Sequence, residues 1–135
     1  MTADQQTALR EELRELLDVH QNDDVEAHHG DSIGADAEFH AICQELGITI
    51  VIHHSRDQRE RAFCQGAKVE YPPEEFSEQS QSIVSVCEIL IAAPDGFREK
   101  VRGSGTWMTV RKGRKAEKTV VFCYPDGHRE TEVEE

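Results

Sequence analysis

Apolar residues recur along the chain in two alternating periods. Over residues 4–18, Leu9, Leu13, Leu16 and Leu17 fall at i, i+4, i+7 and i+8, one stripe of a helix, and Thr2 or Asp4 is placed to cap its start. Asn22-Asp23-Asp24 is turn chemistry, and 25–29 fits a short strand. A second helix is predicted over 35–46, with Phe39, Ile42, Cys43 and Leu46 as its apolar face and Gly47 as its stop. Residues 48–53 (ITIVIH) form a β-branched run, the pattern of a strand buried on both faces. A short helix is expected over 57–66; 68–71 is ambiguous, and Pro72-Pro73 breaks the chain. Helical spacing returns over 74–87, with Phe76, Ile83, Val84 and Cys87 inward. A buried strand over 89–93 leads through a loop at 94–102 to a helix from 103 to about 115. The last strand spans 119–124, Pro125-Asp126-Gly127 turns the chain, and 129–135 is expected to be a frayed acidic tail.

Helices alternating with buried strands imply an α/β fold, here a Rossmann-like three-layer sandwich with a mainly parallel sheet of about four to five strands. The length of 135 residues suits a single domain over 1–135. No apolar run approaches the length of a membrane span. The acidic, polar start MTADQQTALREEL lacks the features of a secretory signal, so a cytoplasmic protein is expected, without membrane contact. None of Cys43, Cys64, Cys87 and Cys123 forms a C-x-x-C pair, which points away from a zinc site built on cysteines, and Cys43, Cys87 and Cys123, set among apolar residues, read as small core residues in a reducing compartment. The net charge of −12 disfavours nucleic acid as a partner. Residues 98–118 run against that balance, with eight Lys and Arg against Glu99 and Glu117.

In open α/β sheets, ligands sit beyond the carboxyl ends of the strands. Two strand-loop-helix junctions carry suitable chemistry. In the first, VEAHHGDSIGAD, Gly30 and Gly34 allow tight turning and close approach, Ser32 can donate, and amides at the helix start would face an anion. Asp31 and Asp36 suit ribose hydroxyls better than phosphate, and Asp36 could instead cap the helix. In the second, RGSGTWMTVRKGRK, Gly103 and Gly105 repeat that role, Ser104 and Thr106 add hydroxyls, and Arg102 and Arg111 add phosphate-suited charge. Neither loop is a Walker A motif or a G-x-G-x-x-G fingerprint. The expected ligand is a nucleotide or nucleotide-derived phosphate between the two loops, with no cofactor and no metal. His28, His29, His53 and His54 lie at strand ends. Asp36 and His40 share a helix face, but no spacing of His29, Asp31, Asp36 and His40 matches a known ligand motif. Trp107 reads as core rather than as a stacking platform.

At HGDSIGAD and RGSGTWMTVRKGRK, with ILIAAP ahead of the second, the sequence resembles the SLOG superfamily, which groups the LOG phosphoribohydrolases (once taken for lysine decarboxylases) with the SMF/DprA proteins. The resemblance covers about residues 25–127 and is closest to small bacterial and phage members. It implies a Rossmann-like fold, a nucleotide or nucleotide-derived ligand and self-association as a homodimer. The LOG enzymes carry a glutamate where this chain has Thr109 and an arginine near Gln79-Ser80. Binding or sensing is therefore expected over catalysis, with no catalytic residue assigned. A LOG-like nucleoside-monophosphate phosphoribohydrolase and a ligand-free structural subunit are the alternatives. Relatives also place a strand and a glycine loop before the first helix; this sequence starts at that helix, which fits a truncated gene model, a rearranged sheet or a strand donated by a partner.

Overall fold

The computed structural model describes residues 1–133. The chain is α/β: α1 (Ala3–Val19), β1 (Glu26–His29), α2 (Ala35–Glu45), β2 (Thr49–Ser55), β3 (Val69–Glu74), α3 (Phe76–Val86), β4 (Ile89–Ala92), α4 (Gly105–Lys115), β5 (Thr119–Cys123) and β6 (Arg129–Glu132). It divides into two compact units, one of Leu9–Ile83 and one of Met1–Ala8 with the residues from Val84 onward. The strands form two three-stranded sheets, β1-β2-β3 and β4-β5-β6, rather than one sheet of four to five.

In the Leu9–Ile83 unit, β1, β2 and β3 are all parallel, with His29 opposite Ile52 and His53 opposite Tyr71. The central strand carries the apolar run expected of it: Ile50, Val51 and Ile52 are all buried, and Ile52 is fully enclosed. α2 connects β1 to β2 and buries Ile42 and Cys43. It ends at Gly47, whose φ of 72° lets Gly47 N–H reach Gln44 O and Ile48 N–H reach Cys43 O, the paired bonds that close a helix end.

Three expectations fail in this unit for local reasons. Pro72 and Pro73 do not break the chain but lie within β3. They are tolerated because β3 is an edge strand whose register to β2 shifts between the His53–Tyr71 and Ser55–Glu74 pairs, so neither proline has a ladder partner. The helix expected over 57–66 shrinks to one 3₁₀ turn, Gln58–Glu60, capped by Asp57; Phe63 and Gly66 then take positive φ, which no helix admits. Phe76, expected inward, is 44% exposed at the first residue of α3.

In the other unit, β4 and β5 are parallel with α4 as their connection, and β6 adds to β5 antiparallel. Leu90, Ala92, Trp107, Val110, Val120, Phe122 and Tyr124 form its core, and Trp107 packs on Phe122 at 5.5 Å between ring centroids. Thr2 and Gln5 form a reciprocal cap at the start of α1. The buried Gln5 amide also donates to Pro94 O and Cys123 O, tying that helix end to the carboxyl ends of β4 and β5. The expected tail is ordered over 129–132 as β6, because a turn through Asp126-Gly127 returns it to β5. Residues 134–135 of that tail lie outside the described residues.

α4 ends as α2 does, but its left-handed position is Glu117 at φ 59° rather than glycine. Lys118 N–H still reaches Gly113 O. A side chain there strains the backbone. Glu117→Gly is expected to raise stability by about 0.5–1 kcal/mol in urea unfolding, whereas Ile52→Ala should lower it by about 2–5 kcal/mol.

Candidate functional site

The first loop leaves β1 at the carboxyl end of the parallel sheet, where Gly30 and Asp31 follow His29. Asp31 is fully buried with φ 58°. Its carboxylate accepts from Cys64 N–H at 2.9 Å and Arg61 Nε at 3.1 Å, and its carbonyl accepts from Ala62 N–H at 2.8 Å. Ile33 N–H bonds Glu60 O, and Ser32 bridges Arg61. Asp31, Ser32 and Ile33 thus pin the 60–64 segment over the loop. Burial alone would push the Asp31 carboxyl up, but the Cys64 N–H, the Cys64 thiol and the Arg61 guanidinium together hold it below the ordinary range.

Two backbone amides of the first loop are already occupied. Asp36 reaches back from the first turn of α2, and its Oδ2 accepts from both Gly30 N–H at 3.2 Å and Ser32 N–H at 3.0 Å. Burial pushes this carboxyl up, against the pull of the two N–H groups. Gly30 is small for a packing reason, since a Cβ would meet Gln79 Nε2 at 2.7 Å and Asp36 Oδ2 at 3.2 Å. Gly34 takes φ 97° as the N-cap of α2, without a side-chain cap, so Asp36 does not fill that role. An anion approaching α2 would meet Asp36 and Glu38 in its first turn. Gly30, Asp31, Ser32 and Asp36, expected as ligand contacts, are bonded among themselves and to Arg61, Ala62 and Cys64.

The second loop is capped and charged differently. Ser104 caps α4, its Oγ accepting from Trp107 N–H, while Gly105 N–H and Thr106 N–H have no acceptor among the described residues. The first turn of α4 holds no acid, unlike those of α1, α2 and α3. Gly103 has φ 72° with open space beside it, and Arg98 and Arg102 carry no ion pair among the described residues. Part of the basic cluster is engaged: Arg111 bonds Glu99 and Lys100 O, and Arg114 bonds Glu99 and Glu132. Arg111 therefore braces the loop ahead of α4 rather than standing free for a ligand.

The positions that the resemblance would make catalytic have structural partners. Gln79 is buried in α3 and donates to Gly30 O at 3.0 Å and His53 O at 2.6 Å. Ser80 Oγ donates to Ser77 O, and Thr109 Oγ1 donates to Gly105 O.

The histidines at the strand ends do gather. His28 Nδ1 lies 2.9 Å from His53 Nε2, and His53 packs on Tyr71. His54 reaches Glu70 at 2.7 Å, while its buried Nδ1 has no hydrogen bond and lies 3.5 Å from Asp31. His29 Nε2 lies 2.9 Å from His40 Nδ1, and both rings are buried. Cys64 completes this group, its Sγ within 4.8 Å of a ring nitrogen of each. Cys64 escapes notice in the sequence, since a residue 24 positions beyond His40 has no short-range spacing to betray it. Burial first, and then the charge of His40, push His29 down to about 4. Burial, with the adjacent Asp31 carboxylate, pushes the Cys64 thiol up to about 12.

A histidine held neutral by burial links stability to pH. His29 binds its proton near pH 6.5 when unfolded but only near 4 when folded, so its contribution is complete above 6.5 and is lost as pH falls toward 4. The loss is about 3 kcal/mol across that window, and His53, also pushed down by burial, acts in the same sense. Urea midpoints measured with chelator present at pH 7, 6, 5 and 4 should fall steadily for the native chain and less steeply for His29→Gln. Comparison of the chain with protein-family models, curated proteins and solved structures finds no match.

Proposed function

We propose that this protein binds a nucleotide or nucleotide-derived phosphate at the β4–α4 junction, through Arg102, Gly103, Ser104, Gly105 and Thr106. The observation that carries the reading is the start of α4: two open amides, no acid in the first turn, and Arg102 just ahead of it. Unpaired amides at a helix N-terminus and the helix dipole both favour an anion. The junction follows a strand parallel to β5, the position where α/β proteins seat ligands. The Rossmann-like reading of the fold and the resemblance to the SLOG superfamily belong to this same proposal and supply its nucleotide class. The first loop enters it as a closed structural turn, not as the second half of a cradle.

Binding is favoured over phosphoribohydrolase chemistry because Gln79, Ser80 and Thr109 are engaged in structural bonds. None of the three is an arginine or a carboxylate able to assist departure of a base. The basic loop also makes free phosphate a useful probe of the minimal ligand.

Thermal melts with millimolar AMP, ADP-ribose, NAD or inorganic phosphate test the proposal. A ligand at a hundred times its Kd stabilises by about 2.7 kcal/mol, a rise of several degrees. Gly105→Val should abolish the rise, because a branched side chain at the first helical residue screens the amides, and Arg102→Ala should reduce it. Unchanged melting with all four compounds would leave a structural role as the better account. Release of free base from a nucleoside monophosphate would favour the hydrolase.

A further inference from the structure

Three donor atoms of a type that binds borderline-soft metals meet in the Leu9–Ile83 unit. His29 comes from the end of β1, His40 from α2 and Cys64 from the segment after the 3₁₀ turn; one ring nitrogen of each histidine and the Cys64 Sγ lie within 4.8 Å of one another, and His29 Nε2 and His40 Nδ1 face each other at 2.9 Å. Their convergence follows from Asp31, which holds Cys64 by its N–H and Ala62 through its own carbonyl. We propose that His29 Nε2, His40 Nδ1 and Cys64 Sγ form a zinc(II) site, with three protein ligands and a fourth position for an exogenous ligand.

Two imidazoles and a thiolate suit zinc, which takes nitrogen and sulfur donors tetrahedrally. Zn–N bonds near 2.0–2.1 Å and a Zn–S bond near 2.3 Å place the two nitrogens about 3.3 Å apart and each about 3.6 Å from sulfur. His29 and His40, now at 2.9 Å, need open by only about 0.4 Å on that geometry.

The hydrogen bonds fix what must change on binding. Asp31 N–H donates to His29 Nδ1 at 2.9 Å, so the His29 proton sits on Nε2 and is donated to His40 Nδ1. His40 Nε2–H is donated to Gln65 O at 2.7 Å. His40 is therefore already set as a ligand: its Nδ1 lone pair faces the site, and its other nitrogen is held by a carbonyl, the usual support for a metal-bound imidazole. The metal takes the place of the proton between the rings. That proton moves to His29 Nδ1, the Cys64 thiol proton leaves to solvent, and one proton is released per metal. The cost falls at Asp31, whose N–H loses its acceptor and whose peptide must turn. Its left-handed backbone, φ 58°, is already strained and gives up little by turning. Metal binding and the conformation of the 30–36 loop are thereby coupled.

Cobalt(II) alone serves as the probe, added to the full chain after treatment with chelator. One equivalent should bring up intense visible bands of tetrahedral cobalt and a near-ultraviolet thiolate-to-cobalt charge-transfer band, both removed by zinc(II). Cys64→Ser should lose the charge-transfer band while Cys87→Ser, in the other unit, keeps it. His40→Gln should weaken cobalt binding by more than about tenfold, the loss that removing even a supporting partner produces. Melts in chelator establish that each variant folds. In the native chain, zinc should move the Asp31 amide resonance and shift the His29 ring proton from Nε2 to Nδ1 in nitrogen-15 spectra, a readout that needs no variant. Absence of a charge-transfer band, its persistence in folded Cys64→Ser, or an unmoved Asp31 amide at saturating zinc would each overturn the proposal. The phosphate reading of the α4 junction involves none of these residues, so either can fail alone.

Discussion

A single buried carboxylate organises the Leu9–Ile83 unit. Asp31 has no exposed surface, yet it carries charge among a guanidinium, a backbone N–H and a thiol. A charge out of water is tolerable only when its partners are fixed, and stripping one partner from such a pair typically costs about 3–5 kcal/mol. Arg61 and Cys64 are thus obliged to stay over the end of β1, and with them the entire stretch between β2 and β3, which has no regular structure of its own beyond one 3₁₀ turn. The meeting of His29, His40 and Cys64 is a by-product of that obligation.

The two glycine-bearing loops look alike as strings of residues and are opposites as structures. In the first, the chain supplies its own anion: Asp36 takes the Gly30 and Ser32 amides and sets its carboxylate in the first turn of α2. In the second, Ser104 commits one hydroxyl to one N–H and leaves two amides open. The distinction rests on whether an acid sits in the first helical turn. That is a small difference in sequence with a full charge attached, set against a dipole equivalent to roughly half a charge.

Much of this architecture was legible from periodicity. The α1 stripe, the β-branched run of β2 and the stop at Gly47 all have local causes, and these elements lie close to where the pattern puts them. What local pattern could not convey was pairing. The residues at 69–74 look unlike a strand because proline usually excludes one, and only their position beside β2 and away from the sheet centre makes them acceptable. The acidic residues at 129–132 look like a tail because nothing in them is apolar; their place is fixed by the ladder to β5. Strand grouping into two sheets is likewise a matter of which edges meet. At the candidate sites, the sequence identified Gly30, Asp31, Asp36, His29 and His40 as chemically interesting but not which atom faces which. The buried amide of Gln79 against Gly30, and the thiol of Cys64 beside two imidazoles, depend on contacts across dozens of residues.

The prolines of β3 have an effect beyond their own strand. An outermost strand ordinarily offers a row of donors on which a foreign chain can lay itself down, the first step toward fibrous association. Pro72 and Pro73 contribute none, and Glu70 and Glu74 in the same strand carry like charges that would oppose a second identical strand. Strand addition is thereby opposed on that flank of the parallel sheet, whose other edge is β1.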